Sequence, residues 1–139
     1  MLPGMAESVL VDAGFLVALL SGRDAHHSWS VSQLPSAPLP WLTCEAVLSE
    51  AYQLLGRAGI APLSSLLQRE VLRLAFDLGS EREPVFRLLK KYSSVPMSLA
   101  DACLVRMTET MPAPVLVTTD HDFRIYRRHG RQTIPCVRP

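Results

Sequence analysis

The sequence predicts an α/β fold in which helices cover both faces of a parallel β-sheet. Short apolar, β-branched runs such as Val9 to Val11 and Val115 to Val117 are typical of strands buried on both faces. Stretches with the helical spacing of apolar residues separate these runs, and this alternation favours parallel strands joined by right-handed helical crossovers. Because 139 residues leave room for one core, we expect a single domain over residues 1–139.

The strands are predicted where apolar residues run together or alternate with polar ones between turn residues. In chain order they are Val9 to Val11, Leu39 to Thr43, Leu72 to Leu78, Val115 to Val117 and Thr133 to Val137. Helical spacing marks most of the chain between them, namely Gly14 to Leu20, Cys44 to Arg57, Leu63 to Leu67, Ser80 to Tyr92 and Ser98 to Met107. The pattern within His26 to Leu34 is compatible with a helix or a loop.

Start and stop signals support several of these helices. Gly56 and Gly59 mark the end of the second one, because glycine commonly follows the last helical residue. Ser80 and Ser98 each stand three residues before an acid, which is the spacing of a capping box. Each of these serines is therefore predicted to open a helix.

Composition excludes several classes of protein. Hydrophobic residues make up 48% and charged residues 19%, which is typical of a compact globule rather than a disordered chain. With a formal net charge of +1, any binding of nucleic acid depends on a local site and not on a general positive field. The apolar stretches are too short to span a membrane and the first residues lack a secretion signal, so we expect a cytoplasmic protein.

Three cysteines, Cys44, Cys103 and Cys136, lie far apart in the sequence and form no CxxC pair. Free thiols packed as small apolar groups are the expected state of such cysteines in a cytoplasmic protein. The absence of any paired Cys and His spacing argues against a zinc site.

Acidic side chains follow two of the buried strands. Asp12 comes directly after the first strand, and Asp120 comes shortly after the fourth. Because the carboxyl ends of parallel strands meet at one edge of a sheet, where ligands commonly bind, we expect these acids to lie together. Each acid also has a structural alternative: Asp12 and Asp120 are suited to capping the next helix or turn, and Asp101 to closing a capping box with Ser98.

Glu50 is harder to explain by local structure. It borders an apolar helix face beside Val47 and Leu54, whereas Glu45 falls on the opposite face. No Lys or Arg stands three or four residues from Glu50, although burying an unpaired charge is costly. Its partner is therefore either a cation from elsewhere in the fold or a metal ion.

Carboxylates gathered at one sheet edge repel one another, and their pooled charge suits a hard divalent cation. Mg2+ and Mn2+ prefer oxygen ligands and retain bound waters. Such an ion lowers the pKa of a bound water, positions a phosphodiester and stabilises its leaving oxygen. The sequence contains no serine-protease-like triad and no Gly-rich phosphate loop that would favour another chemistry.

Four segments in order, VLVDAGFLVALL, CEAVLSEAYQLL, SLADACLVRMTE and VLVTTDHDF, resemble the four acidic motifs of PIN domains, especially the VapC toxins of bacterial toxin–antitoxin pairs. They extend from Val9 to Phe123. The resemblance implies a three-layer fold with a central parallel sheet of four to five strands flanked by helices. It also implies a Mg2+- or Mn2+-dependent endoribonuclease in which a metal-activated water attacks an RNA phosphodiester and leaves a 3′-hydroxyl.

The resemblance assigns roles to individual residues. The catalytic acids that it implies are Asp12, Glu50, Asp101 and Asp120. The metal ligands that it implies are Asp12, Asp101, Asp120 and Asp122, with Thr118 in the place of a supporting hydroxyl. The family further implies a homodimer, an RNA substrate and a VapB-like antitoxin that fills the RNA groove. One departure is Ala13, which stands where many members have a hydroxyl residue.

Several alternatives remain open. Arg124, Arg127 and Arg128 are candidates for contacts to RNA phosphates, or else form a solvated basic surface. Haloacid-dehalogenase-like phosphatases fit less well because they need a second acid where Gly14 stands, and response-regulator receivers because they need adjacent acids and a late lysine. The alternative from another functional class is a catalytically silent PIN-like domain that binds RNA or a protein.

Overall fold

In the computed structural model, which describes residues 6–139, a five-stranded parallel sheet forms the centre of the chain. The strands are β1 (Ser8–Val11), β2 (Trp41–Thr43), β3 (Leu72–Leu74), β4 (Pro114–Val117), β5 (Arg127–Arg128), β6 (Gln132–Thr133) and β7 (Cys136–Val137). The helices are α1 (Ala13–Leu20), α2 (His27–Ser32), α3 (Glu45–Leu55), α4 (Arg57–Gln68), α5 (Leu78–Lys91) and α6 (Leu99–Thr110), with 3-10 turns at Leu34–Ser36 and His121–Arg124. The order β3-β2-β1-β4-β7, parallel throughout and flanked by helices, confirms the predicted fold class.

The central strand, β1, is the best buried part of the sheet. Its three apolar residues are at most 2% exposed, because helices cover both faces of the sheet. It lies between β2 and β4, and Val11 at its end pairs with Val117 at the end of β4. The residues that follow these two strands, beginning with Asp12 and Thr118, are therefore brought to the same edge of the sheet.

The predicted strand from Leu72 to Leu78 is wrong in its second half. β3 ends at Leu74, which pairs with Thr43 at the end of β2, so the chain beyond has no partner strand. Asp77 then acts as the N-cap of α5, accepting a backbone N–H bond of 3.1 Å in the first turn. Ser80, which was expected to open this helix, lies inside it because the carboxylate cap comes earlier.

The two glycines at the junction of α3 and α4 have different functions. Gly56 has a φ of +66°, a conformation that side-chain-bearing residues rarely adopt, and it ends α3 as predicted. The prediction for Gly59 is wrong, since it lies within α4 rather than at a helix end. A Cβ atom at Gly59 would clash with the side chain of Leu55, so the close approach of the two helices requires glycine there.

The predicted strand from Thr133 to Val137 is divided in two. β6 pairs with β5 in a separate antiparallel ribbon, whereas β7 extends the main sheet beside β4. Pro135 separates them, because it has no N–H for a sheet ladder, although its carbonyl accepts a bond of 2.8 Å from Leu116.

The three cysteines are free thiols, as predicted. Those of Cys44 and Cys103 are buried, and that of Cys136 is half-buried. Across residues 6–139, no helix is both long enough and apolar enough to cross a membrane.

Candidate active site

Asp12 is the most firmly held acid at the sheet edge. It follows β1 and caps α1, with its Oδ1 atom accepting the backbone N–H of Phe15 at 2.8 Å. Its Oδ2 atom accepts the hydroxyl of Thr118. The residue is only 6% exposed, so both oxygens are fixed by donors inside the protein. The predicted capping function of Asp12 and its position at the sheet edge thus occur together.

Thr118 connects the ends of the two neighbouring strands. Its hydroxyl is buried, donates to Asp12 and accepts the backbone N–H of Asp120 at 2.9 Å. Asp120 in turn caps the 3-10 turn at His121–Arg124, where its Oδ1 atom accepts the N–H of Asp122 at 2.8 Å. These bonds fix Asp120 beside Asp12, although the two residues follow different strands.

Asp101 is fixed from two sides. It closes a capping box with Ser98 at the start of α6, with bonds of 3.0 and 3.3 Å. The Oδ2 atom of Asp101, which accepts the backbone N–H of Ser98, also accepts a bond of 2.9 Å from the hydroxyl of Tyr126. The Oδ1 atom of Asp101 accepts no hydrogen bond from residues 6–139 and is left for another partner.

Glu50 and Glu45 lie on different faces of α3, as the helical spacing predicts. Glu50 is half-buried and lines a cavity together with the three aspartates. Glu45 is exposed and lines a separate cavity beside Phe76. Leu54, on the apolar face predicted for α3, borders the first cavity but is 66% exposed.

The four acids predicted as catalytic therefore meet in one cavity of about 120 Å³. They come from the end of β1, from α3, from the first turn of α6 and from the turn after β4. The full lining is Asp12, Ala13, Gly14, Val47, Glu50, Leu54, Ala100, Asp101, Leu104 and Asp120. No basic side chain belongs to this lining, so the acidic charge is not neutralised within the cavity.

The electrostatics of the cavity reflect this lack of compensation. Burial raises the pKa of Asp12 to about 7, against the lowering effect of the Thr118 and Phe15 donors. Burial also raises the pKa values of Glu50 and Asp101, and repulsion by neighbouring carboxylates adds to the increase in each. A cation in the cavity would relieve both effects, since it favours the charged form of every acid around it.

The donor set fits a hard divalent cation that keeps part of its water shell. In the part of the chain that the structure describes, no three His, Cys, Asp or Glu side chains are close enough to form a complete metal site. Mg2+ commonly binds through one or two carboxylates and retains several waters, so it does not need such a set. The carboxylate oxygens available as ligands for such an ion are the Oδ1 atom of Asp101, the second oxygen of Asp120 and the oxygens of Glu50.

The other predicted residues lie outside this cavity. Asp122 does not line it, although its backbone N–H holds Asp120. Arg127 directs its guanidinium to backbone carbonyls of residues 124–126, and Arg128 directs its own to the carbonyl of Thr108. Arg124 is exposed. Of the three arginines predicted to contact RNA, Arg124 is exposed, whereas Arg127 and Arg128 are half-buried.

Tyr126 was missed by the sequence analysis. It is fully buried, lies edge-on to Phe123 and Tyr92, and donates to Asp101. Its sequence neighbours are Ile125 and basic residues, which suggested a solvated segment. The only available signal was an aromatic residue three positions after Phe123, the spacing of a shared helical face.

Two of three comparisons relate the chain to known proteins. A model of the PIN domain family matches residues 9–128. Among solved structures, the chain is similar to the crystal structure of Mycobacterium tuberculosis VapC20, described as a Sarcin-Ricin loop cleaving toxin. That match has a TM-score of 0.68 and 23% identity, and covers 78% of this chain and 87% of the other. No match was found among curated protein sequences.

Proposed function

The chain belongs to the PIN domain family, and from this premise we propose that it is an endoribonuclease that hydrolyses RNA phosphodiesters with Mg2+ or Mn2+. The observation that carries the proposal is the meeting of Asp12, Glu50, Asp101 and Asp120 in one cavity without a basic residue. Helix capping alone does not explain why acids from four separate elements meet in one cavity, since each cap requires only its own carboxylate. We also propose that residues 1–139 form one domain.

In this proposal Asp101 and Asp120 would hold the cation, and Asp12 fixes the arrangement of the acids. Bound Mg2+ or Mn2+ would lower the pKa of a water molecule that it holds and would place a positive charge near the phosphodiester. Asp12 keeps Thr118 and hence Asp120 in place through the bonds at its two oxygens. The Glu50 carboxylate, whose pKa burial raises, is suited to accept a proton from the attacking water.

Aspartate-to-asparagine variants test the assignment. Asp12→Asn, Asp101→Asn and Asp120→Asn should each abolish metal-dependent cleavage of RNA while the protein stays folded, because asparagine caps helices about as well as aspartate. Cleavage is measured on labelled RNA with Mg2+, with Mn2+ and with a chelator, alongside melting curves. Cleavage at the wild-type rate in any two of these variants would contradict the site.

We further propose that the protein is the toxin of a VapBC-like pair, with a VapB-like antitoxin as partner and a homodimer as the active form. The support is family membership and the fold shared with a protein described as a toxin. Expression without a partner should then arrest bacterial growth, and Asp12→Asn should relieve the arrest. Normal growth with soluble, cleaving protein would remove the toxin proposal and leave the nuclease proposal intact.

A catalytically silent domain that binds RNA or a protein is the second candidate. It is favoured by one observation, the lack of a complete three-ligand metal group within residues 6–139. The two proposals separate in a single experiment, because the silent domain would bind labelled RNA without shortening it at any concentration of Mg2+ or Mn2+.

A further inference from the structure

A second cavity lies beside the acidic one and has the opposite charge. It has a volume of about 490 Å³ and opens where β7 ends. Its lining consists of His121, Arg124, Cys136, Val137, Arg138 and Pro139. Two arginine side chains and no Asp or Glu side chain line this basic cavity, which is thus a local concentration of positively charged side chains on a chain of net charge +1.

The positive charge of the basic cavity is not used by the fold. Within residues 6–139, neither Arg124 nor Arg138 forms a salt bridge. Arg124 donates one hydrogen bond, from its Nε atom to the carbonyl of His121 at 3.3 Å. By contrast, the guanidinium groups of Arg127 and Arg128 are directed to backbone carbonyls. The cavity arginines therefore retain donors for an external acceptor.

The basic cavity and the acidic cavity share one stretch of chain. Thr118, which bonds Asp12, donates its own backbone N–H to the carbonyl of Val137 at 3.0 Å. His121 directly follows Asp120, which lines the acidic cavity. Burial raises the pKa of the half-buried Cys136 thiol, while Arg138 lowers it and Asp12 raises it further, so this thiol lies within the electrostatic reach of residues from both cavities. The linings of the two cavities therefore adjoin where the end of β7 meets the residues that follow β4.

We propose that the basic cavity binds a phosphate of the RNA strand that flanks the phosphodiester placed over the acids. RNA presents a phosphate at every nucleotide, and the guanidinium fork suits phosphate oxygens. The acids alone repel a phosphate, so a neighbouring cationic pocket supplies the attraction that positions the strand. Arg138 and Arg124 are the phosphate contacts. The inference rests on the proposed nuclease function and adds where the strand lies.

Salt dependence of RNA binding tests this proposal without catalysis. Binding of a labelled single-stranded RNA is measured by fluorescence anisotropy in a chelator, where no cleavage occurs, over a range of salt concentrations. Each phosphate contact contributes about 0.7 to the slope of log K against log salt for a single strand. Arg138→Ala and Arg124→Ala should each lower the slope by about that amount, whereas Arg138→Lys should retain it.

Arg131→Ala is the matched control. It removes the same charge from an exposed position a few residues away that does not line the cavity, and its slope should equal that of the wild type. In the cleavage assay, the cavity variants should raise the KM for RNA and leave kcat unchanged. An unaltered slope in both Arg124→Ala and Arg138→Ala, or an equal loss in Arg131→Ala, would overturn the proposal.

The outcomes also separate this inference from the nuclease proposal. If RNA is cut but the slopes do not depend on the two cavity arginines, the phosphate site is wrong and the nuclease proposal stands. If RNA is never cut but the slopes fall as expected, the nuclease proposal is wrong, while the basic cavity is supported as a phosphate site.

Discussion

The buried carboxylate of Asp12 lowers the stability of the folded protein when it is charged. Asp12 has its pKa raised to about 7 mainly by burial. An acid whose pKa is higher in the folded state stabilises the protein below its unfolded pKa, near 3.8, and this stabilisation is lost as the pH rises through 7. Above that pH, the folded chain contains a buried charge that the unfolded chain exposes to water.

Asp12→Asn should therefore stabilise the metal-free protein at pH 8 and much less at pH 5. The gain is at most on the order of 4 kcal/mol, since one pKa unit corresponds to about 1.4 kcal/mol. Urea unfolding of both proteins in a chelator at the two pH values measures it. The same difference at both pH values would mean that Asp12 does not titrate as its burial requires.

Tyr126 positions Asp101 rather than merely filling the core. In Tyr126→Phe the ring keeps its packing against Phe123, but the Oδ2 atom of Asp101 loses its shortest donor. We expect a loss of about 1 kcal/mol in stability and a higher metal concentration for half-maximal cleavage. Direct titration of metal binding by calorimetry should show the same weakening, which a purely structural effect would not produce.

Tyr92→Phe is the control for this variant. Tyr92 packs edge-on to Tyr126, and its hydroxyl accepts the backbone N–H of Arg127 at 2.9 Å, away from the acids. It should lose comparable stability and keep the wild-type metal requirement. If both variants weaken metal binding equally, the bond from Tyr126 to Asp101 has no special importance.

At the scale of single residues, the sequence was sufficient to locate the acids but did not indicate which residues hold them in place. Asp12 and Asp120 follow apolar runs that mark strand ends, a pattern visible in the sequence. The bond from Thr118 to Asp12 joins residues 106 positions apart, and no local spacing indicates its geometry. Tyr126 was missed for the same reason, because its contact with Asp101 depends on how two distant segments pack.

At the level of the element, the rotational phase of α3 decides which glutamate faces the acids. Glu45→Gln should cost well under about 1 kcal/mol of stability and leave cleavage intact, because it removes only a first-turn charge from the helix. Glu50→Gln should lose most of the activity, because it removes a charge from the acidic cavity. Single-turnover rates of the two variants on one RNA at saturating Mn2+ provide the comparison.

The reverse result, an inactive Glu45→Gln protein beside an active Glu50→Gln protein, would contradict the assignment of α3. The helical spacing was sufficient to predict this phase, since residues five apart cannot share a face. Element boundaries were less predictable: β3 stops where β2 stops, and α5 starts at a cap that the alternating pattern of Leu72 to Leu78 concealed. The end of β3 depends on its pairing with β2, and the start of α5 depends on the bond between Asp77 and Gly79, so both boundaries involve a residue outside Leu72 to Leu78.

For the whole molecule, the acidic cavity predicts a dependence of stability on divalent cations. A ligand that binds only the folded state stabilises it by about 2.7 kcal/mol at 100 times its dissociation constant. Millimolar Mg2+ or Mn2+ should therefore raise the melting temperature of the wild type. Asp120→Asn should reduce this increase, and the metal-free variant should melt higher than the metal-free wild type because repulsion in the cavity is smaller.

Differential scanning fluorimetry with and without a chelator measures these shifts, with Glu45→Gln as the variant expected to respond like the wild type. A melting temperature that does not change with either ion would count against cation binding by the cavity. An equal response in Asp120→Asn would remove that residue from the metal ligands.

The strand order also has a consequence for how the protein is made. β1 is synthesised first among the strands, yet its neighbour β4 and the Thr118 hydroxyl that fixes Asp12 come from the last quarter of the described chain. Synthesis proceeds from the amino end, so a growing polypeptide emerges from the ribosome with Asp12 and Glu50 but without the opposite side of the cavity. Chains released prematurely, before β4, contain no assembled acidic cluster. If the protein cuts RNA, the cell that produces it meets that activity only after β4 and Thr118 have been synthesised.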